Sequence, residues 1–349
     1  MNEILLDRNE NRYGPAPGCL EALRSVQAEA LFDYPRDFQR GHYSALSQRL
    51  AELHGIDDKR IVLGYGCEDV LKQAVHHFLR AGERCFVPSA SWWYYRAIAD
   101  EVEGETVEYP LIERPTTYRF DVDALKALHD RQRARVLLIA SPNNPTGNPF
   151  PRERLRETLE HFRDAMVVLD EAYWGLGDEP GTDLAHLTDE YPNLLVLRTF
   201  SKLYGLAGAR IGYGVAGGGM ASFLKFSARN LGFSRVVERL ALAALDAPDY
   251  YEGVRRKMAA DRKCFYERLR RFDAVRVYDS EANFVLVRFP SGVCAPLKAA
   301  LKQRGLVVKF FDEPAFVDCA RISLGTQEEN AWLLDSIDEL CGDLLRRCA

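Results

Sequence analysis

A lysine preceded by two hydroxyl side chains, and followed eight residues later by an arginine, is the first sign of chemistry in this chain. Residues 199–210 read Thr-Phe-Ser-Lys-Leu-Tyr-Gly-Leu-Ala-Gly-Ala-Arg, so Thr199 and Ser201 stand just ahead of Lys202 and Arg210 closes the segment. The apolar run 194–197 leads into it as a short buried strand would. A lysine just beyond such a strand is a candidate Schiff-base amine, because desolvation disfavours its ammonium form and raises the share of free amine. Hydroxyls and a forked, permanently charged guanidinium beside it suit a phosphate. The plain alternative is a lysine on a surface loop near an unrelated arginine.

Two more motifs follow apolar runs in the same way. Ser141-Pro142-Asn143-Asn144-Pro145-Thr146-Gly147 follows the run 136–140, and Asp170-Glu171-Ala172-Tyr173 follows 166–169. Singly, an Asn-Pro segment is a common turn and an aspartate after a strand is a common helix cap. Three such motifs in order, each at a strand end, are far more specific than any one. A fourth segment, Gly64-Tyr65-Gly66-Cys67-Glu68-Asp69, stands between a short strand at 61–63 and a helical pattern over 70–79. In outline it is an anion cradle, since free backbone N–H groups point out of a helix start. Asp69 occupies the place of the third glycine of a dinucleotide fingerprint, which weakens that reading. A plain cap by Glu68 or Asp69 stays open.

The elements that would position these residues alternate. Short strands are expected at 85–87, 106–109, 136–140, 166–169, 194–197 and 210–215, with helices between several of them, for instance 122–131 and 152–162. That is the pattern of an α/β sheet covered by helices on both faces, where function gathers in the loops beyond the strand ends. Residues 1–30 read as a turn-rich arm and a short helix from Cys19, expected to pack with a small C-terminal domain. Tyr34-Pro35 sits in a turn, and a helix is expected from about 42 to 54. The large domain spans 31–247. From 248 the texture changes to a long charged helix (250–271), strands at 275–278, 284–289, 306–310 and 320–324, a helix at 295–304 and a closing helix from Gln327. This reads as a small α+β domain, 248–349.

Bulk properties narrow the classes. The 349 residues are 47% hydrophobic and 28% charged with net charge −5, an ordinary globular balance without a basic footprint for nucleic acid. No apolar segment is long enough to span a bilayer, and the start lacks the pattern of a signal peptide. The 8 cysteines lack Cys-x-x-Cys spacing and read as free thiols of a reducing cytosol, so a cytoplasmic location is expected. His76-His77 has no third ligand nearby, and no metal site is expected. There is no Walker loop and no internal repeat.

With these motifs in hand, the sequence resembles the fold-type I, pyridoxal-phosphate-dependent aminotransferases, and within them the histidinol-phosphate aminotransferase branch. The resemblance runs from Asn9-Glu10-Asn11-Arg12-Tyr13-Gly14 to Arg321-Ile322-Ser323-Leu324-Gly325-Thr326. It implies a large domain with a mainly parallel, seven-stranded type of sheet between helices. By it Lys202 carries pyridoxal 5'-phosphate covalently, Asp170 pairs with the pyridine nitrogen, and Tyr173 and Asn144 contact the ring oxygen. Arg210, Thr199, Ser201 and the loop Gly66-Cys67-Glu68 form the phosphate cup. Trp92, of the aromatic run Trp92-Trp93-Tyr94-Tyr95, stacks on the ring. Tyr34 reaches the cofactor of a neighbouring subunit, implying a homodimer with shared active sites. Tyr13, Asn144 and Arg321 bind substrate. The implied partners are a small amino donor and a 2-oxo acid acceptor. The donor stays open between an amino acid and an amino-alcohol phosphate such as histidinol phosphate, because 228–233 and 309–311 depart from the branch's usual pattern. The same scaffold also serves decarboxylases and other enzymes that break a different bond at Cα, and catalytically silent relatives; the intact Lys202, Asp170 and Arg210 speak against the last.

Overall fold

Seven strands carry the site. In spatial order they are Ile61–Gly64, Gly212–Ala216, Leu194–Thr199, Met166–Asp170, Val136–Ala140, Arg84–Pro88 and Glu105–Tyr109. The computed structural model describes residues 3–36, 44–179, 181–229 and 231–348, and side chains as far as Cys341. All neighbours in the sheet run parallel except Gly212–Ala216, which is antiparallel to both strands beside it. The central strands Val136–Ala140, Met166–Asp170 and Leu194–Thr199 are buried along their whole length. This is why they appear in the sequence as unbroken apolar runs rather than alternating ones.

Register brings the motifs to one edge. Ala140 pairs with Asp170 and Asp170 with Leu197, so the loops after the three parallel strands emerge together. Gly212 opposes both Thr199 and Gly64, so the antiparallel strand begins where its neighbours end. Arg210 therefore does not open that strand, as the apolar pattern suggested, but lies in the turn before it. Its backbone is left-handed, with φ 53 and ψ 63. That conformation costs a non-glycine residue roughly 1–2 kcal/mol.

A second sheet of five strands orders Ile4–Leu6, Leu306–Phe310, Cys319–Ser323, Phe284–Arg288 and Arg276–Tyr278. Ile4–Leu6 is parallel to Leu306–Phe310, and the other pairs are antiparallel. Of residues 1–30, then, the strand joins this small sheet. The helix Pro17–Arg24 lies instead along Arg235–Leu245, where Cys19 Sγ donates to Leu240 O at 3.5 Å. The long helix Pro248–Leu269 leads from that region into the small domain. A hairpin, Leu111–Glu113 with Tyr118–Phe120, bridges back. Its Glu113 accepts from Arg276, Tyr278 and Arg288 of the small sheet.

Several boundaries differ from the periodicity. The helix expected over 70–79 spans Cys67–Phe78, because Gly66, at φ 87, turns the chain into it three residues earlier. Its N-cap offers no side-chain bond. Asp69 instead accepts from Tyr65 N and from Arg229, so neither acid caps the helix. The helix expected from about 42 starts outside the described residues; its described part is Ala45–His54, with Ser44 and Ser47 forming a capping box. Asn230 also lies outside them.

Candidate active site

Lys202 follows the Thr199 end of its strand through Ser201. Its Nζ donates to the backbone carbonyls of Arg8 and Asn9, each at 3.0 Å, and stands 5.6 Å from the centre of the Tyr173 ring. Burial, then the nearby Arg321 guanidinium, brings its pKa down to about 8. This is the desolvated amine that the sequence pattern anticipates. Among the described residues no carboxylate pairs with it.

Asp170, 6% exposed, ends the strand beside it. Tyr95 donates its hydroxyl to Oδ2 at 2.8 Å and Ala172 N donates to Oδ1 at 3.0 Å. Burial nevertheless holds the carboxyl above its ordinary range. A cationic ring nitrogen placed against it would reverse that direction. Tyr173, three residues past the strand, is buried, and its hydroxyl accepts from Asn9 Nδ2 at 2.9 Å. Burial pushes this phenol up to about 12. Beneath the floor, Glu171 accepts from Arg198 at 2.7 Å and Arg198 also reaches Asp183 at 2.9 Å. Because Glu171 adjoins Asp170 and Arg198 adjoins Thr199, the pair ties the two strand ends together.

The loop Gly64–Glu68 and Arg210 face each other. A Cβ on Gly66 would lie 2.7 Å from Arg210 Nη2, and one on Gly212 would lie 2.2 Å from Cys67 N. At Gly212 the clash is with backbone, and at Gly66 the left-handed φ of 87 disfavours a side chain even if the guanidinium moves aside. Arg210 makes only long contacts, 3.2 Å to Ala207 O, 3.3 Å to Tyr65 O and 3.4 Å to Ser201 Oγ, with Glu68 3.8 Å away. Thr199 Oγ1 donates to Ser201 Oγ at 3.0 Å. A helix of twelve residues starts here, so its first amides lack intrahelical acceptors. Two hydroxyls, these amides and a loosely held guanidinium form a cradle for a dianion. Cys67 is half-buried at the helix start, and burial drives its thiol pKa upward.

Across the site, Arg321 of the small sheet is 8% exposed. Its Nη1 donates to Asn144 Oδ1 at 2.6 Å, its Nη2 donates to Asp7 O, and its Nε finds no partner among the described residues. No ion pair of Arg321 occurs among the described residues. Burial lowers its pKa, a mark of an uncompensated cation. Lys202, Arg210 and Arg321 together make a positive site with little anionic answer of its own, which fits a phosphorylated cofactor and an acidic substrate.

Other expected residues sit at the margin of this cluster. Trp92 is half-buried and meets Tyr95 edge-on, their centroids 5.7 Å apart, while Trp93 is exposed. Tyr13 donates its hydroxyl to Asp261 Oδ2 on the long helix at 2.7 Å. Tyr34 is 67% exposed, and no hydrogen bond or ring contact joins it to the site residues among those described. The sequence does not point to Tyr95 or Asn9 as supports of Asp170 and Tyr173. Tyr95 is the last aromatic of the run at 92–95, and Asn9 opens the arm motif, but only three-dimensional contact reveals their partners.

The chain matches the family described as aminotransferase class I and II over residues 2–337. It is 33% identical, over 97% of its length and 89% of the relative, to a histidinol-phosphate aminotransferase of Roseiflexus castenholzii. It is 28% identical, over 97% of its length and 93% of the relative, to one of Ruminiclostridium cellulolyticum. The crystal structure of histidinol-phosphate aminotransferase from Sinorhizobium meliloti in complex with pyridoxal-5'-phosphate superposes with a TM-score of 0.86 at 27% identity, covering 98% of this chain and 92% of that one. With a buried amine at Lys202, a buried acid at Asp170 and a dianion cradle at one sheet edge, the chain belongs to the aminotransferase class I and II family, and its chemistry is amino-group transfer dependent on pyridoxal 5'-phosphate.

Proposed function

We propose that the enzyme takes its amino group from an amino acid or an amino-alcohol phosphate such as histidinol phosphate, hands it to a 2-oxo acid, and anchors both at Arg321. The observation that carries this reading is the buried Arg321 fork, which bonds Asn144 and a backbone carbonyl but no carboxylate. Gly66, Cys67, Glu68, Thr199, Ser201 and Arg210 would hold the cofactor phosphate, Asp170 its ring nitrogen, Tyr173 and Asn144 its ring oxygen, and Trp92 its face. Bound there, the cofactor supplies an electron sink for charge developing at the substrate Cα. The rest is done by the chain. At a pKa of about 8, roughly a tenth of the Lys202 amine is unprotonated at neutral pH, where an ordinary lysine has almost none, so it can accept the proton leaving Cα. Arg321 and Asn144 orient the substrate's anionic group, and Tyr13 would line the same pocket.

Tyr34 supports a homodimer with shared sites. It stands with Leu31, Phe32, Tyr65 and Leu231 as an exposed apolar set around the loop whose Gly232 abuts Pro35. Such a surface suits a second copy of the chain. Free cysteines throughout the described residues suit a cytoplasmic enzyme.

The deciding experiment offers amino donors one at a time to the purified, cofactor-loaded protein and follows the cofactor absorbance through the half-reaction. Borohydride reduction and peptide mapping in parallel should label Lys202. Release of carbon dioxide without an oxo acid product, or a label on another lysine, overturns the reading.

A further inference from the structure

Asn9 is 2% exposed, adopts a left-handed backbone with φ 55, and has nearly every polar atom engaged. Its N–H donates to Ser323 Oγ at 2.8 Å, and Ser323 Oγ returns its own proton to Asn9 Oδ1 at 3.0 Å. A hydroxyl has one proton to give. With Oδ1 turned to this hydroxyl, Nδ2 faces the other way. There it donates to the Tyr173 hydroxyl at 2.9 Å. The Asn9 carbonyl accepts from Lys202 Nζ at 3.0 Å and from Asn283 Nδ2 at 2.9 Å. One residue of the N-terminal arm thus touches Tyr173 and Lys202 beside the large sheet, Ser323 of the small sheet and Asn283 just before the strand Phe284–Arg288.

We propose that Asn9 is a positioning residue that fixes the direction of the Tyr173 hydrogen bond and the seat of the Lys202 amine. A phenol that accepts from an amide keeps its own proton free for another acceptor. With Asn9 on one side, Tyr173 is a donor toward the site. Were Asn9 to offer an acceptor instead, the phenol proton would turn to the arm and the site would lose it. The left-handed backbone fits this role, because asparagine is among the few residues other than glycine that adopt it readily. The two carbonyls of Arg8 and Asn9 hold the amine from the same short segment, so arm, tyrosine and lysine are set as one unit. This inference rests on the reading of Tyr173 and Lys202 as cofactor residues.

Two substitutions separate the hydrogen bond from mere packing. Asn9→Asp keeps size and backbone preference but replaces the amide donor with an acceptor. Asn9→Gly keeps the backbone and removes the side chain, leaving space for water. In apoprotein labelled with 13C at tyrosine Cζ, the Tyr173 resonance is identified by its loss in Tyr173→Phe. It should move in Asn9→Asp while the other tyrosine signals stay. The loaded Asn9→Asp enzyme should keep its KM for the donor and lose roughly ten- to hundredfold in kcat, the scale of a misplaced catalytic group. Asn9→Gly should recover much of that loss. If Asn9→Asp does not fold, Asn9→Gly decides alone, and its Tyr173 resonance must still move. An unmoved Tyr173 signal, an unchanged kcat in Asn9→Asp, or a glycine variant as impaired as the aspartate overturns the inference. Failure of Lys202 to take the borohydride label overturns the underlying function instead, so the two failures are distinct.

Discussion

Replacing Lys202 by methionine should make the apoprotein's stability depend on pH in a new way. In the unfolded chain a lysine holds its proton up to its ordinary pKa of 10.5, whereas in the folded protein burial brings Lys202 to about 8. Below about pH 8 both states are protonated, and the buried ammonium costs the fold a constant amount. At 1.36 kcal/mol per pKa unit, the interval corresponds to about 3 kcal/mol. Between the two values unfolding takes up a proton, so the native apoprotein gains stability as pH rises. From about pH 7 to about pH 9.5 the recovered part is about 2 kcal/mol. Methionine fills similar volume without a charge, so its variant lacks this term. The stability of Lys202→Met minus that of the native chain should therefore fall by about 2 kcal/mol over that range. The absolute offset depends also on the lost bonds to the Arg8 and Asn9 carbonyls, and their weakening as Nζ deprotonates is already contained in the folded pKa. The assay is urea unfolding of cofactor-free protein at four pH values, native and variant side by side. A difference that stays constant, or grows with pH, refutes the claim that Lys202 is a desolvated cation in the folded chain.

Asp170→Asn should retain cofactor through the phosphate cradle but lose at least about a hundredfold in turnover, since a charge left without its buried partner costs about 3–5 kcal/mol; near-normal kcat would rule out its pairing with the ring nitrogen. Arg321→Lys keeps the charge but not the fork, and should lower kcat/KM about ten- to hundredfold for amino donor and 2-oxo acid alike, each tenfold being 1.36 kcal/mol; rates retained in both half-reactions would make Arg321 structural only. Mixing Lys202→Ala protomers with Tyr34→Phe protomers, with subunit exchange verified, should regenerate activity above either parent; no gain would confine Tyr34 to its own chain.

How far the sequence reaches is clearest at particular residues. The strands that lead to Asn144, Asp170 and Lys202 are buried on both faces, so their apolar runs and the turns after them are legible without coordinates. Parallel pairing then places those turns at one sheet edge, because the register of parallel neighbours brings their ends together. Family resemblance supplies roles for the side chains in those turns. Local pattern also marks the change of texture at 248.

What local pattern lacks is partner choice. Ile4–Leu6 is three residues long and joins a sheet whose neighbouring strand begins at Leu306; nothing near it in the chain announces that pairing. Arg210 reads in sequence as the first residue of a strand, yet the strand begins at Gly212 and the arginine stands in a left-handed turn before it. Tyr95 finds Asp170 across 75 residues, and Asn9 finds Tyr173 across 164 and Ser323 across 314. These bonds form because a buried polar atom must be satisfied by whatever the packed elements bring within reach. Which residues stand at the strand ends can be read along the chain. How they are held depends on contacts between segments whose separation along the chain carries no local signal, and these appear only in the folded molecule.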